Sequence, residues 1–157
     1  MTKLNELYDR DFVLWTEEQA AALRRAKDSN LPLDWENLAE EIESLGRSDR
    51  RALTSQIRRI LHHLLKLEVS PAVDPQAGWR STIYDARAQI KEILEESPSL
   101  RHRVDVAIAE QIGLAAKLAE ADFERFGEAG EKIRTRVHQG GFSAEQVLGD
   151  WFPDPPR

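Results

Sequence analysis

The chain of 157 residues contains no cysteine, which removes disulfides, thiolate metal sites and a cysteine nucleophile from consideration. A reducing cytoplasm is the compartment that fits. No stretch approaches the roughly 18 consecutive apolar residues that a membrane-spanning helix needs. The opening MTKLNELYDRDFVLW carries no apolar run behind a basic start, so no leader peptide is expected. Strand-like alternation, low-complexity tracts and internal repeats are missing. So are the phosphate-binding glycine loop, the dinucleotide-binding glycine turn and the His-Glu-x-x-His zinc helix. Excess positive charge is missing as well: the net charge is -6, which opposes general adhesion to nucleic acid or anionic membranes.

What remains is 41% hydrophobic and 32% charged residues, the balance of a globular domain with a highly charged exterior. The length suits one domain over residues 1–157, divided into a bundle over 1–139 and a strap over 140–157. Its central stretch runs from Leu33 to Leu67. Leu38, Ile42, Leu45, Ala52, Leu53, Ile57, Ile60, Leu61, Leu64 and Leu67 recur there in steps that mark one helical face, and Asp34 is placed to cap the start. Gly46 reads as an interior glycine or as a break. Acidic residues fill the first third and basic residues the rest, a distribution that complements the helix dipole.

The expected fold is all-α, a bundle of four to five helices. A short helix covers 9–27, capped by Asp9 or Asp11, with Phe12, Trp15, Leu23 and Ala26 as its apolar face. Long helices cover roughly 34–68, 76–95 and 97–126, packed antiparallel. Pro71 and Pro75 set the connection after the second helix, and a turn centred near residue 73 makes facing positions sum to about 146. That register puts Asp85 near Arg58 to Leu61, and Glu92, Glu95 and Glu96 near Arg50, Arg51 and Thr54. Ser97 and Pro98 open the next helix, with Leu100, Val104, Ala107, Ile108, Ile112, Ala115, Leu118 and Phe123 inward. EKIRTRVHQ forms a further helical segment, Gly140 and Gly141 stop it, and Ser143 with Gln146 makes a capping box for a helix over 143–150. The aromatic tail then docks on the bundle or reaches a second subunit.

No catalytic set, metal site or cofactor signature emerges. A di-iron bundle needs paired Glu-x-x-His motifs, which are absent. His62 and His63 are adjacent, so their rings point about 100° apart and cannot chelate one ion as an i, i+4 pair can. By the same register His63, Lys66, Trp79 and Arg80 come together at one end, where two cations, a titratable ring and an aromatic plate could hold phosphate or carboxylate. The same residues also make sense as packed histidine, core tryptophan and solvated cations. Two further candidate binding groups are Glu40 with Glu41 and Arg47 with Arg50, the latter continuing as a basic stripe to Arg59.

YDRDFVLWTEEQAAALR, LDWENLAEEIESLGRSDRRAL, HHLLKLE, GWRSTIYDARAQIKEILEESPSLR and SAEQVLGDWFP together resemble a bacterial family of small proteins, domain-of-unknown-function family 29. The segment from about Glu120 to Gly141 departs from its pattern by carrying extra charged helical sequence. The resemblance implies an all-helical bundle of the bacterial cytoplasm and supplies no activity, cofactor or catalytic residue. The leading functional expectation is a non-enzymatic module acting through protein contacts, including self-association. An anionic-ligand or nucleic-acid binder using a basic helix face is the alternative, and an uncharacterised hydrolase or nuclease the second alternative.

Overall fold

The computed structural model describes residues 3–156; Met1, Thr2 and Arg157, the ends of the expected 1–157 span, lie outside the described residues. The chain is all-helical, with no strand among the described residues. Its helices are α1 (Lys3–Arg10), α2 (Phe12–Arg25), α3 (Trp35–Val69), α4 (Gln76–Glu96), α5 (Val104–Arg125), α6 (Glu131–His138) and α7 (Ala144–Leu148). No helix among the described residues is long and apolar enough to cross a membrane. Two compact units partition the chain, one comprising residues up to Leu53 with Glu92–Arg101, the other Thr54–Lys91 with His102 onward.

In the first unit the expected helix over 9–27 is two helices. Asp11 adopts extended backbone between them and its carboxylate accepts from Leu14 N, capping α2. The same side chain accepts from Ser99 N at 2.7 Å and Ser99 Oγ at 2.9 Å, while Ser97 Oγ accepts from Val13 N at 3.1 Å. Each helical start thus satisfies amides of the other, an arrangement that terminal N–H groups require from some partner. The expected helix over 97–126 opens instead with a 3₁₀ turn, Pro98–Arg103, and becomes α-helical only at Val104.

The apolar faces of this unit lie one residue from where periodicity put them. On α2 the buried line is Val13, Thr16 and Ala20, and Phe12 and Trp15 are only partly covered. On α3 the buried positions are Ala39, Gly46 and Leu53, whereas Leu38 and Leu45 are 41% and 50% exposed. The reason is close approach. A Cβ at Gly46 would stand 2.4 Å from Thr16 Oγ1, so α2 packs where α3 has no side chain, and α3 continues through Gly46 without a break. Asp34 caps α3 as expected, accepting from Asn37 N.

In the second unit Ile57, Ile60, Leu61, Leu64 and Leu65 of α3 are fully buried, each contributing about 1.5–3 kcal/mol of burial. Ile83, Ala86 and Ile90 of α4 face them as the sequence periodicity requires. Gln56 meets Gln89, Arg59 meets Asp85, and Lys66 meets Trp79, pairs whose numbers sum to 144 or 145, close to the antiparallel register of about 146. On α5 the inward residues include Ala115, Ala116, Ala119 and Phe123, while Leu118, expected inside, is 39% exposed. The Ser143–Gln146 capping box is present, opening α7 at Ala144. The tail docks on α4: the Arg87 guanidinium donates to the carbonyls of Gln146, Val147 and Trp151 at 2.7–2.9 Å and lies over the Phe152 ring.

Candidate functional site

The second unit holds a cleft of about 670 Å³, lined by Lys66, the 72–75 connection, Trp79, Asp122, Phe123, Phe126 and Glu128. His62 and Lys66 of α3 and Ser70 just beyond its last residue, spaced by four, present one edge toward the end of α5, as i, i+4 positions do. Asp122 Oδ2 receives His62 Nε2 and Lys66 Nζ, each at 2.8 Å. The Lys66 ammonium also lies 4.7 Å from the Trp79 ring centre, and the residue is 7% exposed.

The far wall is placed by the end of α5. Gly127 has φ +76, the left-handed conformation that glycine adopts freely. Gly127 N donates to Glu124 O, and Glu128 N donates to Phe123 O at 2.7 Å, the bond pair of a Schellman cap. The reversal returns Glu128 toward Ser70, whose Oγ donates to Glu128 Oε1 at 2.9 Å. Glu128 Oε2 is buried and has no hydrogen-bond partner. At the mouth, Val73 and Phe126 are each 74% exposed.

Charge in the cluster is set by burial and pairing. Burial tends to raise the Asp122 carboxyl, but hydrogen bonds from Lys66 and His62 together with the Lys66 charge outweigh it and hold the group below the usual carboxylate range. Burial lowers His62, more than its Asp122 bond raises it. The imidazole is therefore neutral at pH 7 and donates from Nε2. Burial pushes His63 down to about 4.

Of the four residues expected to meet here, Lys66 and Trp79 do. His63 turns away, its Nδ1 bonded to the Arg59 carbonyl at 2.9 Å. Arg80 lies 5.7 Å from the Phe152 ring centre, with its buried Nε lacking a hydrogen-bond partner. Sequence reasoning missed Asp122 and Glu128 and set His62 aside. Asp122 had a signal, because it continues the line of Ala115 and Ala119 on the inward face of α5; Glu128 lies beyond the helix and had none.

The remaining candidates are in the first unit. Arg47 bonds Glu40 at 2.5 Å, Arg24 bonds Glu36 and Glu43, and Arg50 pairs with Glu17. Glu41 is exposed, and its carbonyl accepts from Ser44 Oγ. In the second unit Arg59 pairs with Asp85 and Arg58 donates to Gln111, so the basic stripe is largely tied up in side-chain pairs. Among the described residues no three His, Asp or Glu side chains converge as metal ligands. The first unit does present an apolar strip: Leu38, Ile42, Leu45 and Ala52 share one side of α3, with Leu31 and Leu33 just before the helix. Leu31 and Leu33 are 61% and 49% exposed.

No curated protein is significantly similar to the chain. A solved structure is: an alpha-helical protein of unknown function from Rhodospirillum rubrum ATCC 11170, 26% identical, with a TM-score of 0.59, matching over 91% of this chain and 89% of the other. The family model described as "Domain of unknown function DUF29" matches residues 7–152, and the chain belongs to that family.

Proposed function

We propose that this protein is a non-enzymatic interaction module of the bacterial cytoplasm that self-associates through the outward strip of α3. The observation that carries the reading is the exposure of Leu38 and Leu45 on one side of α3, with Leu31 and Leu33 also exposed just before the helix. Leu38 and Leu45 alone leave about one leucine's worth of surface uncovered, and burying it is worth roughly 1.5–3 kcal/mol per copy; apolar surface gathered on one face marks association sites. Leu38, Ile42, Leu45 and Ala52 follow the alternating four and three spacing of a helix-to-helix seam, with Asp49 at the intervening position. A second copy is the partner with a matching seam, because an isologous interface pairs one patch with itself. The bacterial source of the solved relative and the absence of cysteine agree with the setting.

Sedimentation equilibrium across a broad concentration range tests it. The wild-type chain is expected to dimerise and the Leu38→Glu, Leu45→Glu double variant to remain monomeric with unchanged far-ultraviolet circular dichroism. A wild-type chain that stays monomeric throughout, or a variant that dimerises equally well, overturns the proposal.

A further inference from the structure

Beyond self-association, we propose that the cleft between the end of α3 and the end of α5 binds a small organic monocation, an ammonium or guanidinium carried on an apolar body. Its volume of about 670 Å³ lies within the range of small-molecule sites. What distinguishes ligand classes is the balance of groups that line it. The one cation, Lys66, is already consumed: its ammonium is bonded to Asp122 and covered by the Trp79 ring. Against it stand three carboxyl side chains, Asp74, Asp122 and Glu128. An incoming anion would meet this excess of negative charge, and the Lys66 charge that could attract it is already balanced by Asp122. An incoming cation meets the opposite situation.

Glu128 supplies the anchor. One of its oxygens is fixed by Ser70, and the other is buried without a donor, a state that few buried polar atoms occupy. The Glu128 side chain lines the cleft, so a ligand N–H that draws Oε2 out of its buried position completes its bonding, and a charged donor does so more strongly than a neutral one. The apolar body has its own surface in Val73 and Phe126, both 74% exposed at the cleft mouth. The Trp79 ring already lies under Lys66 and the Phe126 ring under Arg125 at 5.7 Å, so a ligand cation has the opposite ring face to use, which favours it over a neutral polar group. The Schellman reversal at Gly127 gives the site its shape, since it brings Phe126 and Glu128, on either side of that glycine, to the same cleft.

Calorimetric titration with benzylammonium, benzyl alcohol and benzoate, three probes of one shape and different charge, reads the inference directly. Benzylammonium is expected to bind with a Kd on the order of 1 mM or tighter. Benzyl alcohol should bind at least about tenfold more weakly, and benzoate should give no heat of binding. Glu128→Gln keeps an acceptor for Ser70 while removing the charge, and should weaken benzylammonium about tenfold and benzyl alcohol, a neutral donor, distinctly less. Phe126→Ala, at an exposed position, should weaken both. A parallel titration with Nα-acetyl-lysine methylamide separates sources: binding as tight as benzylammonium assigns the cation to a basic side chain of a protein, and much weaker binding assigns it to a free amine. No saturable benzylammonium binding, preference for benzoate, or an unchanged affinity in Glu128→Gln overturns the proposal.

Discussion

Replacing Gly46 with alanine sets two terms against each other. In an exposed helix the change stabilises by about 1 kcal/mol, because glycine gives up more backbone freedom on folding. At Gly46 the added methyl would stand 2.4 Å from Thr16 Oγ1, about 1 Å inside ordinary contact. Thr16 cannot swing aside cheaply. Its hydroxyl donates to the Val13 carbonyl at 2.7 Å, and the residue is fully buried. Rotation would break that bond and strand the hydroxyl, at about 1–3 kcal/mol, while moving α2 outward costs a similar amount in lost packing. The packing term wins, and Gly46→Ala should destabilise by about 1–2 kcal/mol net. Thr16→Ala should cost about 1 kcal/mol by itself and remove the obstruction, so the double variant should be more stable than Gly46→Ala alone, with a coupling of about 1.5–3 kcal/mol. Urea denaturation followed by circular dichroism measures all four species. A Gly46→Ala protein as stable as wild type, or single effects that simply add, would refute the close-approach account.

Two further outcomes are expected. Arg87→Ala removes the donor to three tail carbonyls, so amide hydrogen exchange over residues 143–152 should accelerate at least about tenfold; unchanged protection there would mean that packing alone holds the tail. Burial pushes His63 from 6.5 down to about 4, so between those values the unfolded chain binds the extra proton and stability falls as pH drops. The full shift corresponds to about 3 kcal/mol, reduced to about 1–2 kcal/mol because the ring is only partly buried and solvent screens it. Above pH 6.5 this group contributes no slope. Urea midpoints at pH 4.5, 5.5 and 7 on wild type and His63→Gln check it, and equal slopes in both proteins would count against the assignment.

Much of the fold was legible because its signals are local. The prolines at 71 and 75, the Ser143–Gln146 box and the paired glycines at 140 and 141 mark boundaries by backbone chemistry alone. The register of α3 against α4 was also legible, because two helices of equal rise joined by a short turn must meet at nearly constant sums. Which face of the first half of α3 turns inward was not. Leu38, Ile42 and Leu45 make the stronger periodic signal, but burial goes to Ala39 and Gly46, one position away, because α2 gains more contact from a smooth surface than from a leucine ridge. The cleft was half visible for a related reason: Lys66 and Trp79 follow from the register, while Asp122 and Glu128 depend on where α5 ends and turns back.

The shared caps at Asp11, Ser97 and Ser99 bear on the order in which the protein is made. The bond from Val13 N to Ser97 Oγ joins residues 84 apart, so one starting amide of α2 leaves the ribosome before its partner has been synthesised. Both compact units are built from separated stretches of chain, and a nascent chain arrested anywhere between residues 54 and 91 has finished neither. Completion waits for the segment around Pro98 in the first unit and for the C-terminal tail in the second. No single cut in the sequence yields a fragment that keeps one unit whole and discards the other.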